Sequence, residues 1–267
     1  MNLYEAIFKR KSVRNYSDQS LSEEELKEIE NLINDLEGLD NIDLNAYLMK
    51  DGDQAFEVMS GLIGNFGKIK APHYLMVTSE SADLYRENAG FMIEEFVLKL
   101  TTRGLATCWL GGHFETEDVK KLIEIPEEHE LLFAIAFGYP ENNNSPYREE
   151  IEGIKRKSLS EIIINNEQLN SEDDLKEIFE AVRVAPSAAN SQPWRFELDG
   201  EKIHVFLDNR GLIKSYFLGE INKVDIGIAL KHLEIAAEYY EQSLEFKKIE
   251  GAASGDLDYV LSAELSD

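Results

Sequence analysis

The chain echoes itself in a diverged form, and that limits the folds open to it. Leu21-Ser22-Glu23-Glu24-Glu25-Leu26-Lys27-Glu28-Ile29 is answered by Leu169-Asn170-Ser171-Glu172-Asp173-Asp174-Leu175-Lys176-Glu177-Ile178. Each predicts a helix opened by a Ser cap with acidic residues in its first turn. Residues 45–48, Asp51-Gly52 and 55–58 are answered by residues 194–198, Asp199-Gly200 and 203–207. Both sets predict a hairpin closed on an Asp-Gly turn. Residues 90–100 are answered by 227–237, long apolar helices beginning Ala-Gly and Ile-Gly. The offsets are 149, 148 and 137 residues, a drift of a few insertions and deletions. Two similar amphipathic helices arise by chance, but three elements in the same order point to two related halves. The halves are placed at 1–150 and 151–267, with 141–145 and 165–170 as boundary loops.

The run Ala185-Pro186-Ser187-Ala188-Ala189-Asn190-Ser191-Gln192-Pro193-Trp194-Arg195-Phe196 follows a helical stretch. Pro186 fixes φ and donates no N–H. The small side chains let backbone lie against a flat ligand, and Asn190 and Gln192 each carry a donor and an acceptor. That set matches the pyrimidine edge of a flavin, an N–H between two carbonyls. The same residues also read as a helix stop and a loop opening a strand at 194–196.

Near the start, Lys9-Arg10-Lys11-Ser12-Val13-Arg14-Asn15-Tyr16 follows an apolar turn. Arg10, Ser12 and Arg14 alternate, so an extended chain puts them on one side. Two guanidinium groups and a hydroxyl suit a phosphate.

Arg-x-Ser-x-Arg together with Pro-Ser-x-x-Asn-x-Gln-Pro-Trp resembles the nitroreductase family of FMN-dependent oxidoreductases. A third segment fits: Arg103-Gly104-Leu105-Ala106-Thr107-Cys108-Trp109-Leu110-Gly111-Gly112, then Ile125-Pro126-Glu127 and Gly138-Tyr139-Pro140. Ala106 stands where the family's second glycine falls. The resemblance implies an α+β, nitroreductase-like fold. It assigns Arg10, Lys11, Ser12 and Arg14 to the FMN phosphate and Leu110, Gly111 and Gly112 to the ring face or N5. Pro186, Ser187, Ala188, Asn190 and Gln192 take the ring edge. Lys155 and Arg156 sit where the family carries a basic pair that reaches the phosphate. They also read as charges balancing the acidic residues at 149–152, or as a relic of Lys9-Arg10-Lys11-Ser12.

The motif order is unusual, since the Pro-Ser-x-x-Asn loop lies more than 170 residues after the phosphate motif. Ordinary family members are homodimers whose flavin sites draw on both subunits. The resemblance therefore implies a pseudo-dimer, two diverged half-repeats mimicking that homodimer in one chain, monomeric, with one complete FMN site. The first half keeps the phosphate motif and the Gly-rich strand, and the second keeps the flavin loop. The expected reaction carries electrons from NAD(P)H through flavin N5 to a quinone- or nitroaromatic-type small-molecule acceptor in two stages, with no catalytic protein residue required. Two alternatives stay open: a flavin-binding or sensing protein without physiological turnover, and an acidic interaction protein that has lost the cofactor.

The net charge of −25 disfavours nucleic acid as a partner. Apolar runs fall far short of the ~20 residues that span a membrane. Glu5, Lys9 and Arg10 interrupt any signal-peptide pattern. A single Cys108 fits a reducing compartment, and the expected location is cytoplasmic. The five histidines show no metal-ligand spacing, so no metal is expected. His113, after Gly111-Gly112, is a candidate substrate contact or simply an exposed polar residue. Cys108, in an apolar strand, reads as a small hydrophobe. The glycines at 61, 64 and 67 lack the dinucleotide spacing.

Helical periodicity predicts helices at 3–10, 23–36, 85–103, 116–123, 171–183 and 225–243. Strands are predicted at 74–78, 106–110, 131–137, 194–198, 203–208, 244–249 and 257–265.

Overall fold

The structure, a computed structural model, describes residues 1–59, 69–111, 116–141, 144–149, 154–165, 169, 173–209, 216–249, 252 and 255–266. Helices and antiparallel strands are interspersed along the chain, a mixed α+β content. Two compact units result. Unit 1 is Met1–Asn2, Lys9–Tyr85 and Glu95–Ile151, and unit 2 is Leu3–Phe8, Arg86–Glu94 and Glu152–Asp267. Among the described residues, no helix is long and apolar enough to cross a membrane.

Unit 1 is organised on a four-stranded sheet in the order β1-β2-β4-β3, with β1 Leu44–Met49, β2 His73–Glu80, β3 Ala106–Gly111 and β4 His129–Gly138. The central strand β2 is buried along Tyr74–Ser79, because both its faces are covered. One face presents Tyr74, Met76, Cys108, Leu110, Ala134 and Ala136 to Tyr16, Ala55, Val119 and Ile123. Helix α2 (Glu23–Asn34) opens as its sequence predicts, with a capping box between Ser22 and Glu25.

Residues after β1 depart from expectation. The Asp51-Gly52 pair does not turn a hairpin; it starts helix α3 (Gly52–Met59). The Asp51 carboxylate accepts from the N–H groups of Asp53 (3.1 Å) and Gln54 (3.2 Å), which is an N-cap. The partner of β1 is β2, with Leu44 opposite Ser79 and Met49 opposite Tyr74. A Cβ on Gly52 would lie 2.1 Å from the Ala71 carbonyl oxygen, so this glycine serves close backbone approach rather than a turn.

Unit 2 repeats the strand order as β5-β6-β8-β7, with β5 Trp194–Asp199, β6 Lys202–Leu207, β7 Ser243–Lys247 and β8 Asp258–Ser266. Here the Asp-Gly pair does close a hairpin, and Gly200 has φ +61°. Helices α7 (Asp173–Arg183) and α8 (Tyr216–Tyr239) cover the sheet, and Phe179 meets Phe196 edge-on at 5.2 Å. The Arg86–Glu94 stretch of α4 (Tyr85–Thr102) crosses α8 within unit 2. There His232, fully buried, bonds Glu94 at 3.0 Å and the Ala181 carbonyl at 2.9 Å.

Other bounds shift modestly. Helix α5 covers only Thr116–Val119, and α8 starts nine residues before its expected start. A short helix α6 (Leu159–Ile162), boxed by Ser158 and Glu161, was not expected. Ser171, Gly112, His113 and the glycines at 61, 64 and 67 lie outside the described residues.

Candidate functional site

In unit 1 the Arg-x-Ser-x-Arg segment is extended and stitched to its neighbours at Arg10, Ser12, Val13 and Tyr16. Arg10 bridges Tyr147, Ser12 bridges Thr107 on β3, and Tyr16 bridges Pro140. The Val13 N–H donates to the Thr107 carbonyl at 2.9 Å. Arg10 is buried, and its Nη1 donates to Ser12 Oγ at 3.5 Å, so the structure brings these two predicted residues together. Lys11 is half-buried, and Arg14 is exposed at a polar groove of about 690 Å³. The groove also holds Lys50, Lys70, Asp51, Asp53 and Glu141. Two of its cations are neutralised, Lys50 by Glu30 at 2.9 Å and Lys70 by Asp53 at 2.9 Å.

The end of β3 gives Leu110, buried, and Gly111, half-buried. Cys108 packs in the core as expected, and burial pushes its thiol pKa up.

In unit 2 the Pro186–Gln192 loop adopts a conformation that its sequence does not announce. Ala189, Asn190 and Gln192 have φ of 50°, 57° and 48°, left-handed values that cost L-residues energy. Clustered strain of this kind persists only where surrounding bonds over-determine it. Here they do. The Gln192 N–H donates to Ser187 Oγ at 3.0 Å. Lys157 Nζ donates to the Ser191 and Gln192 carbonyls at 3.1 and 2.9 Å. Asp225 on α8 accepts from the Ala188 N–H on both carboxylate oxygens at 3.1 Å, and from Ser191 Oγ at 3.4 Å. Burial pushes the Asp225 pKa up to about 8, against the pull of those bonds.

Two predicted ring-edge residues make bonds within the protein. The Gln192 amide is engaged on both its oxygen and its nitrogen. Gln192 is buried, its Oε1 accepts from the Lys157 N–H at 2.7 Å, and its Nε2 donates to Asn190 at 3.2 and 3.3 Å. Asn190 is exposed, yet its Nδ2 donates to the Lys155 carbonyl at 2.8 Å and its Oδ1 accepts from Arg156 Nη1. Lys155 and Arg156 are therefore brought to this loop, where Arg156 also reaches the Val184 carbonyl at 3.4 Å. A buried amide between loop backbone groups is more favourably spent on them than on solvent.

Asp225 and Lys157 escaped the sequence reading. The signal for Asp225 was there: a lone acid between Val224 and Ile226 in an apolar helix run. Among the described residues, no group of three or more His, Cys, Asp or Glu could hold a metal ion.

Comparison with known proteins agrees with this fold. A family model described as "Putative TM nitroreductase" matches residues 2–237. A Thermotoga maritima structure described as a "putative nitroreductase" superposes with TM-score 0.63 at 22% identity, covering 99% of this chain and 93% of that one. A nitroreductase family protein from Clostridium difficile 630 gives TM-score 0.49 at 20% identity, over 61% of this chain and 96% of that one. An FMN-dependent nitroreductase from Clostridium difficile R20291 gives 0.44 at 18% identity, over 54% and 91%. No curated protein matches the chain.

Proposed function

The chain belongs to the TM nitroreductase family, and from that premise we propose that it is an FMN-dependent oxidoreductase. The observation that carries this reading is the strained Ser187–Gln192 loop, held in three left-handed residues by Asp225, Ser187 and Lys157. Within each unit, taken by itself, residues of this chain offer groups that suit FMN. Arg10 and Ser12, stitched side by side, offer a guanidinium and a hydroxyl to the phosphate. The loop offers small side chains at Ser187, Ala188 and Ala189 to a flat ring, and Gly111 offers the end of β3 without a Cβ. When bound, FMN would supply two-electron transfer from NAD(P)H to a quinone- or nitroaromatic-type acceptor.

The protein's part is binding, orientation and tuning. Asp225 and Lys157 set the loop conformation before any ligand arrives, so little ordering cost falls on binding. The side chains of Asn190 and Gln192, with Arg156, tie that loop to the 155–157 segment. Leu110, buried in β3, anchors the strand end that carries Gly111.

We further propose that the chain is a pseudo-dimer of halves 1–150 and 151–267, acting as a monomer in the cytoplasm. The identical order of the two four-stranded sheets supports this. Titrating purified protein with FMN while recording the visible spectrum tests both readings. One tightly bound flavin per chain, with NAD(P)H oxidation dependent on an acceptor, supports them. A colourless protein that ignores FMN removes the oxidoreductase reading, and two flavins per chain remove the single-site one. Bound flavin without turnover would instead favour a binding or sensing protein.

A further inference from the structure

We propose that Asp225 is a positioning residue that works as a proton-operated latch: its neutral carboxyl closes the Ser187–Gln192 loop, and loss of the proton opens the loop and releases a bound flavin ring. The flavin part rests on the reading of this loop as the ring edge; the latch does not.

The bonds around Asp225 have room for a proton. The residue is buried, and among the described residues it bonds the Ala188 N–H, at 3.1 Å to each oxygen, and the Ser191 hydroxyl, at 3.4 Å. Ser191 Oγ also lies 3.3 Å from Asn222 Oδ1. That amide oxygen only accepts, and a serine hydroxyl carries one hydrogen, so Ser191 cannot donate to both. A proton on Asp225 resolves the conflict. The carboxyl then donates to Ser191, Ser191 donates to Asn222, and the other carboxyl oxygen keeps the Ala188 N–H. An ionised Asp225 takes the Ser191 hydrogen and leaves Asn222 without it.

Among the described residues no cation bonds this carboxyl. Lys157 Nζ donates to the Ser191 and Gln192 carbonyls, Arg195 pairs with Asp208, and Arg183 of α7 pairs with Glu180. Where α4 and α8 cross, Arg86 and Lys223 both pair with Glu220, and Glu87 is a further buried acid. A carboxylate enclosed without a cation is costly. Its pKa, pushed up to about 8 by burial, agrees with that geometry. The loop in turn holds Ala189, Asn190 and Gln192 at positive φ, a strain that the Asp225 bonds help to hold. An ionised carboxylate gains by reaching water, and moving this strained loop aside exposes it at less cost than unfolding the unit.

The test uses the full chain freed of flavin, with riboflavin, which has no phosphate to titrate, as the probe. Wild-type affinity should fall about tenfold from pH 7 to pH 9, as a group that must stay protonated with a pKa of about 8 requires. In Asp225→Asn the amide keeps one acceptor and one donor, as the neutral acid does. That variant should bind within about twofold of wild type at pH 7 and hold the affinity to pH 9. A merely structural role predicts one profile for both proteins. Trp194, two residues beyond Gln192, reports on the loop without flavin once Trp109→Phe removes the other tryptophan. Its emission should titrate between pH 7 and pH 9. Ser191→Ala should move that midpoint down, because the proton loses its acceptor.

Flat riboflavin affinity or flat Trp194 emission in the wild-type loop overturns the proposal. So does an Asp225→Asn variant that keeps the wild-type profile, which assigns the titration to Lys157 or another group. A midpoint that moves up in Ser191→Ala also overturns it, since the hydroxyl then serves the ionised form. If Asp225→Asn does not fold, the direction of the Ser191→Ala shift decides. A protein that binds no riboflavin yet titrates at Trp194 through Asp225 loses the flavin reading and keeps the latch.

Discussion

Gly90 and Gly227 make the same contact in reverse. A Cβ on Gly90 would lie 2.1 Å from the Val224 carbonyl oxygen, and a Cβ on Gly227 would lie 1.9 Å from that of Glu87. Val224 precedes Gly227 by three residues, and Glu87 precedes Gly90 by three. The crossing of α4 and α8 is thus reciprocal, each glycine set against the carbonyl three residues before the other. Both partners are backbone, so neither can swing aside. We expect Gly90→Ala and Gly227→Ala each to cost at least the ~1–3 kcal/mol of an overpacked core. Gly219, on the same helix α8 with nothing within 4 Å, is the control. Gly219→Ala should stabilise by roughly 0.5–1 kcal/mol through helix propensity. Urea denaturation of the three variants decides it, and a neutral Gly227→Ala would mean the helices do not cross this closely.

Asp225 should make stability depend on pH in an unusual direction. Its carboxyl pKa rises on folding from an ordinary 3.8 to about 8 because it is buried. The native state then holds a proton that the unfolded chain has released, so folding is favoured at low pH. Its contribution is full below pH 3.8 and is lost as pH climbs through about 8. Over that window stability should fall by up to about 1.4 kcal/mol per pH unit from this group. Asp225→Asn keeps an acceptor for the Ala188 N–H and carries no charge. The difference in unfolding free energy between variant and wild type should therefore grow from pH 5 to pH 8. A difference that stays flat would show that the carboxylate is ionised throughout.

Much of the fold could be read from periodicity, and the failures have a common cause. Asp51-Gly52 and Asp199-Gly200 are the same dipeptide, but only the second turns a hairpin. What decides is remote: Gly52 is pressed against the Ala71–Pro72 backbone, whereas nothing lies within 4 Å of Gly200. The flavin-like loop was visible as Pro-Ser-Ala-Ala-Asn, yet its latch was not, because Asp225 and Lys157 come from segments over 30 residues away.

Arg10 and Arg14 should separate in their effect on FMN. Arg10 is buried beside Ser12, whereas Arg14 is exposed at a groove with several carboxylates. Arg10→Ala should weaken FMN by about 1.5–3 kcal/mol, roughly ten- to a hundredfold, the worth of a charged hydrogen bond. Arg14→Ala should cost much less, since its contact is screened by water. Fluorescence quenching of the flavin measures both. Equal losses would place the phosphate between the two arginines, and no loss in either would remove the motif from the site.

Gln192 distinguishes a ligand contact from a buttress. If its amide met the flavin edge directly, Gln192→Ala would lower FMN affinity and leave stability alone. The geometry argues otherwise, because Gln192 is 4% exposed and its amide ties the Lys157 N–H to Asn190. Truncation strands that N–H in a site with little water, which costs about 1–3 kcal/mol. It also frees a loop that holds three residues at positive φ, so flavin affinity should fall together with stability. Asn190→Ala, at an exposed position, should cost less than about 1 kcal/mol, because water can replace its bonds. Chemical denaturation without flavin is the deciding measurement. Full stability in Gln192→Ala would return this side chain to the ring edge where the sequence first put it.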